Sequence, residues 1–354
     1  MKKEIQSVKK QASQIEWVNT AKAIGVILVI TGHLLYKTHY GLINHLIYSF
    51  HMPLFFVLSG YVFKLHKAEN AISFVKKKAK RLLLPAIIFI VITLPLYFWI
   101  NRNNLPSVMS FCKLLLFVNG KIPYNDPCWY FIVLFEIYII AYFSYSLCRS
   151  ISSKAILCFL SFTFIALMYY LNFSNYLLFG LDKAVLGYGF FVLGSIFQEV
   201  DLFERKNLLM KTIMFAVSCM GLIVFGVFLN NKVSMYGFAL DNITYFIISG
   251  VCGSVFTIIF SQIVTLLNSK FNMLQKITIW LCRNSVLIVG THYVFISIVG
   301  IILSFFNINT LFVYDIGLVF IVFFITAVYY PICKFTNKYL PFLSSTKEMR
   351  KNEG

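Results

Sequence analysis

Acidic side chains are scarce in this chain, with 13 Asp and Glu against 31 Lys and Arg in 354 residues, and charge of either sign reaches only 12%. So little charge, in a sequence that is 59% hydrophobic, excludes an ordinary soluble domain, which needs about twice that charged fraction to cover itself. The chain also lacks a glycine-rich nucleotide loop, a C-x-x-C pair and any spacing that resembles a metal site, so no bound metal is expected. No internal repeat, soluble domain or long linker stands out. Of the eight cysteines, Cys148, Cys158, Cys219, Cys252, Cys282 and Cys333 lie in or at the ends of apolar runs and read as small apolar residues. Only Cys112 and Cys128 share a connecting segment, which leaves a disulfide between them open.

What is abundant is long apolar sequence. A helix needs ~20 mostly apolar residues to cross ~30 Å of hydrocarbon, and only helices or closed barrels satisfy their backbones there. Hydropathy places ten such runs at roughly 18–36, 45–63, 83–101, 129–147, 155–172, 181–198, 212–229, 243–267, 277–304 and 311–333. The expectation is an all-α polytopic membrane protein of about ten spans: an N-terminal tail (1–17), one membrane domain (18–333) and a polar C-terminal tail (334–354). Lys2, Lys3, Lys9 and Lys10 precede the first run without a small-residue cleavage site, so the first span is expected to be its own insertion signal.

The formal net charge of +18 first suggests a nucleic-acid ligand, but the placement of the basic residues argues otherwise. With the N-terminus inside, 23 of the 31 Lys and Arg fall in inner segments, six fall outside, and Lys22 and Arg283 fall within spans. That asymmetry is the positive-inside signal and puts both termini in the cytoplasm. The charge is therefore a topology signal, with an added attraction for anionic lipid or an anionic cytosolic cofactor. No nucleic-acid partner is expected.

Ionisable residues at membrane depth are expensive, about 2.5 kcal/mol or more on insertion scales, and mark partners or function. Lys22, His33 and His51 lie within thirty positions of one another inside the first two runs. Eleven residues separate Lys22 from His33, about 20° beyond three helical turns, so both share one helix face ~16 Å apart along the axis. The second run returns inward from about His45, which brings His51 to the depth of His33. Two imidazoles facing one cavity, with the ammonium in the same hollow, is the expected arrangement. Each residue alone has a plainer reading, since a lysine near a helix end can snorkel and a histidine can simply bond between helices.

The segments around these residues resemble a known family. Trp17-Val-Asn-Thr-Ala-Lys22 through Thr31-Gly-His33, followed by Ser49-Phe-His51-Met-Pro53-Leu-Phe-Phe56-Val-Leu-Ser59-Gly60-Tyr61, is similar to acyltransferase family 3 of bacterial membrane proteins. Those proteins carry a basic residue, ten intervening positions and a histidine in their first span. Lys78-Ala-Lys80-Arg81 before LLLP85 resembles the family's basic R-x-x-R element. Weaker echoes are Pro127-Cys-Trp129-Tyr-Phe131, Leu181-Asp182 with Phe190-Phe191-Val-Leu-Gly194, and Asn284-Ser285 with His292. The chain departs from the pattern at Asn19, where the family has aspartate, and at Lys22 and Lys78, where it has arginine. Lysine keeps the charge but not the planar fork of arginine, so a bidentate role does not carry over.

The resemblance implies transfer of an acyl group, commonly acetyl from acetyl-CoA, to a hydroxyl of a cell-surface glycan or its lipid-linked precursor in a bacterial cytoplasmic membrane. Such a reaction needs a base with a near-neutral pKa, which histidine supplies. His33 is the expected base, Lys22 the stabiliser of developing charge, and His51 an orienting or proton-relaying group. Lys78 and Arg81 are expected to bind the polyanionic donor, although basic loops of this kind also serve topology alone. Trp129, Glu136, Asp126, Ser285 and His292 are candidate substrate-site residues. Glu136 and Arg283 have structural readings as well, as an ion-pair member and a snorkelling cation, and Ser59 reads as a packing residue beside Gly60. Direct transfer and a covalent histidine intermediate both remain open, as do the acceptor, the acyl group and the oligomeric state.

Three other functions compete. A transporter of glycans or lipid-linked sugars would use the buried ionisable residues as a pathway, but the paired broken spans of such carriers are not evident. A glycosyltransferase would carry carboxylates in a large loop, and a structural scaffold would not need buried ionisable groups.

Overall fold

The computed structural model describes residues 2–36, 41–65, 70–117, 125–148, 150–173, 177–204, 207–268 and 270–340. In chain order the helices are α1 (Lys2–Leu35), α2 (Gly41–Tyr48), α3 (His51–Tyr61), α4 (Ala71–Arg81), α5 (Leu83–Ile100), α6 (Val108–Phe117), α7 (Trp129–Leu147), α8 (Ile151–Tyr170) and α9 (Leu181–Glu199). They continue as α10 (Leu208–Ile223), α11 (Ile243–Asn268), α12 (Asn272–Arg283), α13 (Ser285–Phe305), α14 (Thr310–Val319) and α15 (Ile321–Tyr339). A two-stranded antiparallel hairpin, β1 (Val233–Ser234) and β2 (Ala239–Leu240), precedes α11 and pairs Val233 with Leu240.

Among the described residues nine helical stretches are long and apolar enough to cross a bilayer, and the molecule is an all-α polytopic membrane protein. The tenth apolar run is divided at Phe320 between α14 and α15. α1 reaches back to Lys2, so the expected N-terminal tail extends the first helix. At the other end α15 runs to Tyr339, and the expected tail beyond Leu340 lies outside the described residues.

Two further expected spans are interrupted, for local reasons. The second divides at Ser49 and Phe50 because Pro53 has no N–H to offer the Ser49 carbonyl. That carbonyl instead accepts the Ser249 hydroxyl of α11 at 3.4 Å, and the helical bonds resume from the Leu54 amide to the Phe50 carbonyl. The ninth, expected over 277–304, begins only at Ser285, since the polar run Arg283-Asn284-Ser285 ends α12 and starts α13. Arg283 is thus the last residue of a short helix rather than part of a continuous span.

The bundle has a buried centre and a lipid-facing rim. Of the spans, 61% of Glu16–Leu35 and 72% of Leu178–Glu199 is buried inside the protein, against 11% of Leu208–Phe228. Close approach of α3 and α9 explains the centre. A Cβ on Gly60 would run into the Phe191 carbonyl and one on Gly194 into the Val57 carbonyl, so these two glycines let the backbones touch. On the rim, Ile156, Phe159 and Leu160 of α8 and Leu208, Leu209 and Met220 of α10 are exposed, as lipid-facing side chains must be. Lys154 is buried at the basic end of α8 because its ammonium pairs with Glu199 and bonds Ser195, both on α9.

Candidate active site

Two chambers lie one above the other against α1. The one towards the basic face has a volume of about 230 Å³ and is lined by Lys22, Lys78, Arg81, Ser59 and Ser285, among others. The one towards the opposite face measures about 510 Å³ and is lined by His33, His51, Asp126, Trp129 and residues of the β1–β2 hairpin. Phe55, Tyr130 and Val289 line both. The ammonium of Lys22 and the imidazoles therefore do not share a single hollow. Three helical turns separate Lys22 from His33 on α1, and the three shared side chains line the region where the chambers adjoin.

The histidines are brought together from three helices. His33 comes from the last turn of α1, His51 from the first residue of α3 and His292 from α13. The His33 ring lies 5.0 Å from that of His292 and 5.2 Å from that of Tyr293. Tyr48 stands between the other pair: its hydroxyl is 3.3 Å from His33 Nδ1, and its ring centre is 5.0 Å from that of His51. The break between α2 and α3 does this positioning. It ends α2 at Tyr48 and starts α3 at His51, so both side chains face α1.

Backbone carbonyls fix the tautomers of two rings. His51 Nδ1 is 2.8 Å from the Ile47 carbonyl, and His292 Nδ1 is 3.0 Å from that of Val289 and 3.2 Å from that of Ile288. A carbonyl only accepts, so Nδ1 carries the proton and Nε2 of the neutral ring holds a lone pair. For His292 that Nε2 is buried and has no hydrogen-bond partner among the described residues.

Of the remaining predicted residues, all but Glu136 line one chamber or the other. Asp126 accepts a 2.8 Å hydrogen bond from the Tyr236 hydroxyl, and Trp129 lies 6.0 Å from the Tyr236 ring, so hairpin and α7 together wall the larger chamber. Ser285 lines the smaller chamber instead, beneath His292. Lys78 sits with its ammonium 3.5 Å from the centre of the Tyr138 ring and 5.4 Å from that of Phe74, an aromatic seat for a cation. Glu136 lines neither chamber. It lies on α7 within electrostatic reach of Asp182 and Lys183, a fully buried pair at 3.2 Å, so its structural reading fits its position. Cys112 is exposed, Cys128 buried and both are free thiols, which removes the disulfide.

Sequence reading missed the tyrosines and the hairpin. Tyr48, Tyr130, Tyr236 and Tyr293 all line the larger chamber. In a chain with 21 tyrosines nothing in composition singles these out. The signal that was present is Met235-Tyr236-Gly237-Phe238, a turn in a polar stretch between two spans. Ser59, read as packing, lines the smaller chamber.

A membrane bundle with a cationic chamber on its basic face and an imidazole chamber opposite can carry an anionic substrate on one side and move a proton on the other. The family model of the acyltransferase domain, acyltransferase 3, matches residues 15–331, and the chain belongs to that family. It is a membrane acyltransferase. Comparison with curated proteins and with solved structures found no match.

Proposed function

We propose that this protein is an O-acyltransferase of a bacterial cytoplasmic membrane, which moves acetyl from cytosolic acetyl-CoA to a hydroxyl of a cell-surface glycan or its lipid-linked precursor. The observation that carries the reading is the separation of charge from base: Lys22, Lys78 and Arg81 in one chamber, His33 and His51 in the other, with Phe55, Tyr130 and Val289 common to both. Acetyl-CoA is polyanionic and is held from the basic face by the three cations. A sugar ring suits the larger chamber, where Trp129 and Tyr236 offer aromatic faces and Asn44, Asn231 and Asp126 offer polar ones.

With His33 Nδ1–H donated to the Tyr48 oxygen, its Nε2 carries the lone pair that takes the proton of the acceptor hydroxyl. The hydroxyl oxygen then attacks the thioester carbon. A C–O bond forms, the C–S bond breaks, and the thiolate leaves into the basic chamber that holds the rest of the donor. The proton held on His33 is released to solvent or to the departing thiolate. His51, with Nδ1 held by the Ile47 carbonyl, presents a second lone pair that orients the acceptor hydroxyl.

The test is transfer of radiolabelled acetyl from acetyl-CoA to glycan by membranes that contain the protein. His33→Ala should abolish it while the variant still elutes as a folded species. Full activity in that variant removes the proposed base, and glycan translocation without acylation favours a carrier instead.

A further inference from the structure

We infer that Phe55, Tyr130 and Val289 form a size filter that limits the acyl group this protein transfers to short chains; the inference rests on the donor reading proposed above. These side chains belong to the walls of both chambers. An acyl group that arrives on a thiol from the basic face and leaves on a hydroxyl at the opposite face has to be seated among them when the bond changes hands.

The filter is held on every side. The Tyr130 ring packs 5.6 Å from Phe55, 5.5 Å from Phe56 and 5.5 Å from Phe131. The ring is therefore held between three aromatic neighbours. Phe55 is backed by α1 at Gly25, where an added Cβ would stand only 2.8 Å from the tip of the phenyl ring. The ring already occupies the recess that the glycine leaves and has nowhere further to retreat. Val289 closes the third side from α13, and the bond from His292 Nδ1 to the Val289 carbonyl ties that turn to the histidine cluster.

A rigid apolar wall discriminates by excluded volume, and one methylene too many or too few in such a pocket changes kcat/KM by about 10–200-fold. Acetyl fits beside three such side chains more readily than a chain of several carbons. Removing bulk from any of the three should admit longer chains, and pushing Phe55 forward should narrow the passage further.

The experiment compares radiolabelled acetyl-CoA with radiolabelled butyryl-CoA as donors to endogenous glycan in membranes of the native cell. The unaltered protein should prefer acetyl. Val289→Ala, which removes two methyl groups and is mild enough to fold, should raise the butyryl-to-acetyl ratio of kcat/KM by roughly tenfold. Phe55→Leu should move the ratio the same way, and Gly25→Ala should lower acetyl transfer and abolish butyryl transfer. An unchanged ratio in both Val289→Ala and Phe55→Leu, with acetyl transfer retained, overturns the filter alone. Equal use of both donors by the unaltered protein also overturns it. No transfer from either donor by the unaltered protein overturns the donor reading, and the filter with it.

Discussion

The two chambers are built from different kinds of residue, although they share three side chains and are both lined by α1, α3, α7 and α13. The smaller collects cations from α1 and α4 at the basic face, in and beside a loop region whose charge the topology of a membrane protein already demands. The larger collects imidazoles and phenols from α1, α2, α3 and α13 under a hairpin, in a region where formal charge is sparse. Cations hold a polyanion without changing protonation, whereas imidazoles exchange protons near neutral pH and so suit chemistry rather than capture. Binding and bond-making are thus placed at different depths, and variants of each should fail in different ways.

His33→Ala should have the largest effect, a fall in kcat of about 100–10,000-fold with donor affinity unchanged, measured by acyl transfer alongside equilibrium binding of acetyl-CoA. Loss of binding together with turnover would break the division. Lys183→Ala, which removes the cation beside buried Asp182, should lower stability by about 3–5 kcal/mol and is checked by thermal unfolding in detergent. Because that pair lines neither chamber, activity per folded molecule should persist. Arg81→Ala should raise KM for acetyl-CoA roughly tenfold and reduce its dependence on ionic strength, with kcat largely retained. Tyr48→Phe, which removes the hydroxyl at His33 Nδ1, should lower kcat severalfold and leave donor KM unchanged, a split read from steady-state kinetics. The smallest effect is expected at Tyr236→Phe. Loss of the bond to Asp126 should alter acceptor KM only a few-fold, a change worth about 1 kcal/mol.

Part of this arrangement is legible in the sequence. The spacing of Lys22 and His33 places both on one face of α1, and the positive-inside bias locates the cations of the smaller chamber. His51 and His292 are recognisable as ionisable residues inside apolar runs, where chance seldom puts them. The tyrosines are not, because an amphipathic ring at a span end is ordinary in membrane proteins and only its neighbours give it a role. Glu136 stays ambiguous for the related reason that a buried carboxylate signals a partner, and sequence does not say whether that partner is a substrate or another side chain.

Composition and periodicity by themselves determined that the chain is a helical membrane bundle, which side carries the charge and where most spans run, since transfer of side chains and backbone into hydrocarbon is a local, additive free energy. Tertiary structure alone decided that the hollow is divided in two, that α2 and α3 part so that Tyr48 and His51 face His33, and that His292 joins them from α13. Those outcomes depend on which helix packs against which, and on a proline and a few glycines whose consequences appear only when a neighbouring backbone arrives.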